Sequence, residues 1–220
     1  MIKIYSKSAD GRQKLSRHFT VADFACKDGA DQIIIDDALV SLLERISLWA
    51  GKKVAIRSAF RTETYNARIG GKSDCYHLRG QAADIEVHGK TPAKTARYAQ
   101  AIGTRGIGLH SALRDSFVHI DTRPKKRFWV STNDKTVSVI GLGGSCPYAQ
   151  SKRNLSLGSF GNDVRWTQWW LNLWDANILV DGKYGEETAA AVRKVQKKLG
   201  LAPDGNMDEK TGQALMGIIE

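Results

Sequence analysis

Two histidines and one aspartate are the residues whose types and spacing could do chemistry together. His77 and Asp84 stand seven residues apart in His77-Leu-Arg-Gly-Gln-Ala-Ala-Asp84, and His119 follows in Phe-Val-His-Ile-Asp. Two imidazoles and a carboxylate make a three-ligand set suited to catalytic zinc, with a fourth position open for water or substrate. Asp84 is flanked by Ala83 and Ile85, so on a strand its side chain points away from theirs. The same three residues also read as a solvated aspartate and two ordinary histidines, and spacing alone does not separate the two.

The elements that would position these residues follow from periodicity. Asp36-Asp37 marks a helix start, and Leu39, Leu42, Leu43, Ile46 and Trp49 follow the spacing of one buried helical face before Gly51 ends it. Lys53–Ser58 and Ala82–Val87 read as strands, Pro92 opens a helix through Ala101, and Ser116–Thr122 alternates as a strand. Residues 103–108, rich in glycine, read as loop. Strands and helices joined by loops of mixed length predict an α+β fold.

These residues lie in longer motifs. Ser58-Ala-Phe-Arg-Thr62, Tyr65-Asn66, Cys75-Tyr-His77-Leu-Arg-Gly80-Gln-Ala-Ala-Asp84-Ile, Gly106-Ile-Gly108 and Phe117-Val-His119-Ile-Asp121 together resemble the zinc D-Ala-D-Ala carboxypeptidase family. That family includes phage endolysins cleaving L-Ala-D-Glu bonds and shares its fold with the Hedgehog signalling domain. The segment His18–Gly29 resembles an N-terminal stretch common in it, and the likeness spans roughly residues 17–130. It implies a small antiparallel sheet that carries Zn2+ on His77, Asp84 and His119. It also implies that Arg61 serves the substrate or the developing oxyanion, with Ser58 beside it in the same motif.

A peptidase of this kind needs a carboxylate to take the proton of water and pass it to the leaving amine. Many relatives carry an acid three residues before the last histidine, where this chain has Ser116. Two substitutes are Asp121, which shares a strand face with His119, and Asp115, four residues before it. Asp121 reads equally as a residue that orients a ligand or Arg123. Cys75 departs from the serine frequent two residues before the first ligand histidine, and reads as a packed or hydrogen-bonded thiol. His88 and His110 read as non-ligands.

Residues 141–154 are turn-rich and aperiodic and read as a linker between a catalytic domain over 1–140 and a second domain over 155–220. Beyond the linker the pattern is helical, with an internal echo: Asp181-Gly182-x-x-Gly185-x-x-Thr188 recurs 23 residues later as Asp204-Gly205-x-x-Asp208-x-x-Thr211. This half resembles the small three-helix peptidoglycan-binding domain, which implies wall anchoring without catalysis. Four tryptophans crowd into nine residues. Trp170 and Trp174 are expected inside, and Trp166 and Trp169 are the candidates for stacking on substrate.

The net charge of +10 completes the picture. Residues 151–220 hold nine basic and nine acidic side chains, so the whole excess belongs to residues 1–150. A basic balance raises nucleic acid as a partner, but no phosphate cradle or nucleic-acid motif accompanies it. No apolar run approaches the roughly 20 residues that cross a bilayer, and three scattered cysteines exclude a disulfide scaffold. The expectation is a monomeric zinc peptidase of bacterial peptidoglycan stems, endolysin-like, made in the host cytoplasm without a signal peptide and acting on the wall after release. The alternative is a non-catalytic wall-binding protein with a degenerate peptidase domain, which the serine at position 116 favours.

Overall fold

In the computed structural model, which describes residues 1–110, 116–131, 136–143, 146–150, 152–174, 176 and 178–216, the chain begins with an antiparallel ribbon. Its strands are β1 (Ile2–Ser6) and β2 (Gln32–Asp36), with the one-turn α1 (Lys7–Asp10) following β1. Asp36 ends the ribbon and caps the next helix, accepting the backbone N–H of Ala38 at 3.2 Å. That helix, α2 (Asp37–Ala50), closes at Gly51 in the left-handed region. Its buried face holds Leu39, Val40, Leu43, Ile46 and Trp49, while Leu42 is only half-buried at the edge of the stripe. Each fully buried side chain of this size contributes about 1.5–3 kcal/mol.

After α2 come β3 (Ala55–Ser58), α3 (Glu63–Arg68), β4 (Ala82–Glu86) and α4 (Pro92–Ala101). Thr91 caps α4 through its hydroxyl to Lys94 N, with Pro92 preset at the first turn. Then follow β5 (Gly106–His110), β6 (Phe117–Asp121), β7 (Arg127–Ser131) and β8 (Thr136–Val139). Six strands form one sheet in the order β3-β4-β6-β5-β7-β8, antiparallel except for the parallel pair β5–β7. Ala83, Ile85, Ile107, Val118 and Ile120 are buried on one face, against which α4 packs, and Trp49 of α2 stacks on Tyr98 of α4 at 4.4 Å. Asp84, His119 and Asp121 alternate onto the other face. The architecture is α+β.

One predicted loop is a central strand. Residues 106–110 form β5, between β6 and β7. Its glycines mark close approach rather than a turn. A Cβ at Gly106 would sit 1.9 Å from the Asp121 carboxylate, and one at Gly108 would sit 2.4 Å from the Trp129 indole.

The chain divides into two compact units, Met1–Gly144 and Ser145–Glu220. The second contains α5 (Asn162–Leu173), α6 (Glu186–Leu199) and α7 (Glu209–Leu215). Each copy of the Asp-Gly echo is clamped by a buried glutamine from the preceding helix. Gln168 donates to Asp181 (2.9 Å), Lys183 O and Thr188, and accepts from Gly182 N. Gln196 repeats the set on Asp204 (2.8 Å), Asn206 O, Thr211 and Gly205 N. Among the described residues no helix is long and apolar enough to cross a membrane.

Candidate metal centre

His77 sits on a single turn of 3-10 helix, Tyr76–Arg79, that ends at Gly80. Gly80 has φ 65, and a Cβ there would lie 2.1 Å from Ile34 O, so the turn is pressed against β2. His119 and Asp84 are direct cross-strand partners on β6 and β4, the arrangement that brings side chains on one face closest together. The sheet register therefore sets two of the three candidate ligands, and the turn brings in the third.

Three donor atoms converge. His119 Nδ1 lies 2.9 Å from Asp84 Oδ1, and His77 Nε2 lies 3.3 Å from both. Bonds of about 2.0–2.2 Å place tetrahedral zinc ligands roughly 3.3–3.6 Å apart, so the set fits zinc with little adjustment. Each remaining polar atom is already committed. His77 Nδ1 donates to Ala59 O at 2.6 Å, which leaves the Nε2 lone pair facing the cluster. His119 Nε2 donates to Asp121 at 3.0 Å, which leaves Nδ1 facing it. The second oxygen of Asp84 accepts from Arg61 Nη2. Carboxylate or carbonyl partners behind ligating imidazoles are a recurrent feature of metal sites.

The electrostatics agree. Burial pushes His77 down, keeping it neutral and able to donate a lone pair. Burial also opposes charge on His119, but its hydrogen bonds to Asp121 and Asp84 outweigh this and raise it to about 9. Burial would raise Asp84, yet the two histidines hold it well below the usual carboxylate range.

Two further candidate residues, Asp121 and Arg61, lie directly behind the cluster. Asp121 is fully buried behind the His119 ring, and Arg123 engages both its oxygens while holding it at about 2 against the cost of burial. With Arg123 on both oxygens and His119 Nε2 on one, Asp121 is placed to orient the His119 ring, the second of the two roles the sequence offered for it. Arg61 donates Nε to Ser58 Oγ at 2.8 Å and pairs with Asp84. Ser58 thus holds the guanidinium, which in turn holds a candidate ligand. Asp115 lies outside the described residues.

A cleft of about 320 Å³ adjoins His119, with Lys72, Asp74, Tyr76, Arg123, Arg127 and Trp129 among its lining residues. Cys75 and His110 border it as well. Asp74, Arg127 and Trp129 were not singled out in the sequence. The signal for Trp129 was the glycine at 108, whose missing side chain makes room for the indole.

In the second unit the expected exposure of Trp166 fails: it is 4% exposed, while Trp169 is half-buried. Trp166, Trp170 and Trp174 are spaced four apart, so the stripe that buries two of them buries the third. Trp166 lines a cleft of about 430 Å³ together with Gln150, Lys152, Arg153, Asn154 and Glu209.

Residues 17–121 match the family model of peptidase M15, and residues 160–215 match that of a putative peptidoglycan binding domain. Peptidoglycan L,D-endopeptidase MepK of Escherichia coli K12 is 31% identical over 102 residues, covering 43% of this chain and 54% of the relative. The protein of the same name from Shigella flexneri matches to the same extent. The chain spans about half the length of the curated relatives it matches. Among solved structures, the crystal structure of the SleB N-terminal domain is 36% identical, covering 30% of this chain and 93% of that one, with a TM-score of 0.29.

Proposed function

We propose that this chain, which joins a peptidase M15 domain to a peptidoglycan-binding domain, is a zinc-dependent peptidase of bacterial peptidoglycan stems. The observation that carries the proposal is the convergence of His77 Nε2, Asp84 Oδ1 and His119 Nδ1 within 3.3 Å, each held by a second partner. When bound there, zinc supplies a Lewis acid that lowers the pKa of water towards about 7 and polarises a carbonyl. The chain's own residues supply the rest. Ala59 O and Asp121 fix the ring orientations, and Arg61 fixes Asp84. In the cleft, Asp74 is a carboxylate open to solvent, a candidate for the group that handles the proton of water.

The likeness to the MepK endopeptidases supports hydrolysis of a peptide bond in the stems or their cross-links. The second unit supports retention on the wall. We extend the proposal to an endolysin-like role, with synthesis in a bacterial cytoplasm and action on the wall after release. The wall-binding alternative rests on Ser116, and the intact donor set opposes it. Zinc-loaded protein should release peptides from purified sacculi, chelation should stop release, and zinc should restore it. Undiminished release by His119→Ala would refute the assignment.

A further inference from the structure

Among the described residues, the cleft beside His119 is lined by more basic side chains than carboxylates. Arg123 is engaged by both oxygens of Asp121. Lys72 and Arg127 are exposed and line the same cleft, yet neither has a carboxylate partner among the described residues. Among the described residues, Asp74 is the carboxylate that shares this wall. Arg61, which the family resemblance gives to the substrate or the oxyanion, is tied to Ser58 and Asp84 and lies outside this lining.

Arg127 is also anchored where it can read a substrate. Its guanidinium carbon lies 5.9 Å from the Trp129 ring centroid, and the His119 ring lies 5.1 Å from the same indole. Gly108 permits this, because any larger residue would collide with the indole. One aromatic ring thus bridges a candidate ligand and a cation that has no carboxylate partner among the described residues. An extended peptide advances about 3.3–3.6 Å per residue, so a carboxylate within about three residues of a bond held at the donor set reaches Arg127. A guanidinium on a flat ring is well placed to meet a carboxylate with two hydrogen bonds.

Resting on the peptidase reading above, we propose that Arg127, assisted by Lys72, forms an anion subsite that selects peptides bearing a free carboxylate near the scissile bond. The carboxylate is either the chain terminus or an acidic side chain, and both present the same group.

The test uses the zinc-loaded full chain and four synthetic stem peptides of one sequence, in which a terminal acid or amide is crossed with a Glu or Gln side chain. The wild type should favour one acid over its amide by about tenfold in kcat/KM, chiefly through KM, as expected for a charge-assisted pair. Which acid is favoured identifies the terminal or side-chain source. Arg127→Gln should bring that acid-to-amide ratio to about one, Lys72→Gln should lower it partially, and Arg127→Lys should retain much of it. Raising ionic strength should shrink the ratio in the wild type and leave it unchanged in Arg127→Gln. Equal cleavage of acids and amides by the wild type, or an unchanged ratio in Arg127→Gln, overturns the subsite. Cleavage of none of the peptides refutes the peptidase reading instead, and equilibrium binding of the same four peptides then decides the subsite by the same ratio.

Discussion

Both units bury polar side chains, and they do so to opposite ends. In the second unit Gln168 and Gln196 each satisfy an Asp-Gly turn and a threonine, and within each clamp the amide oxygen and nitrogen are both bonded. In the first unit the partners of His77, Asp84 and His119 consume one side of each residue and leave three lone-pair atoms facing one another. Buried polar groups that satisfy each other build architecture. Buried groups held so that their remaining donor atoms converge build a site. The difference lies in what is left over, since His77, Asp84, His119, Gln168 and Gln196 are all buried.

Substituting a ligand should break this contrast most visibly. Asp84→Asn or His119→Ala is expected to abolish zinc retention and to lower peptide release by about a thousandfold or more, the scale set by losing the group that activates water. Digestion of sacculi together with metal analysis of the same samples checks both. Next in size, Gly108→Ala forces a methyl group into the Trp129 indole and should cost about 1–3 kcal/mol in a urea unfolding curve. Zinc affinity should weaken with it.

Asp121→Asn leaves the three ligands in place and removes only the carboxylate behind His119. By analogy with other such partners, zinc affinity should fall about 10–100-fold, as read by competition with a chromogenic chelator. Gln196→Ala should do the reverse, costing about 1–3 kcal/mol of stability through the stranded groups of its turn. It should leave cleavage of a soluble peptide unchanged. Loss of soluble-peptide cleavage in Gln196→Ala would blur the division between the two kinds of cluster.

The smallest expected effect is on pH. His119 is raised to about 9, so below that value zinc must displace a proton from it, and zinc affinity should climb with pH and level off above about 9. Stability of the zinc-stripped protein runs the other way. The raised pKa contributes fully below the ordinary value of 6.5, and that contribution is lost as pH rises through about 9. Thermal unfolding at several pH values, with and without zinc, separates the two slopes.

That His77, Asp84 and His119 converge was legible in the sequence, because a cross-strand pair and a strand-flanking turn need specific residue types at fixed places. The sequence hid β5, because glycine reads as flexibility until the side chains filling its space are known. Asp121 was legible as a neighbour of His119 by strand alternation, but alternation does not say which ring nitrogen it meets. Trp166 yielded to the same four-residue spacing that had placed Trp170 and Trp174 inside. Gln168 and Gln196 gave no signal, since a glutamine on a helix looks solvated until its loop folds over it.

The central claim is that three side chains form one zinc site. Equilibrium titration with zinc against a competing chelator tests it most directly. One equivalent should bind tightly to the wild type, weakly to Asp121→Asn, and undetectably to a His77→Ala/His119→Ala double variant that retains the wild-type circular dichroism spectrum. Equally tight binding by the folded double variant would contradict it.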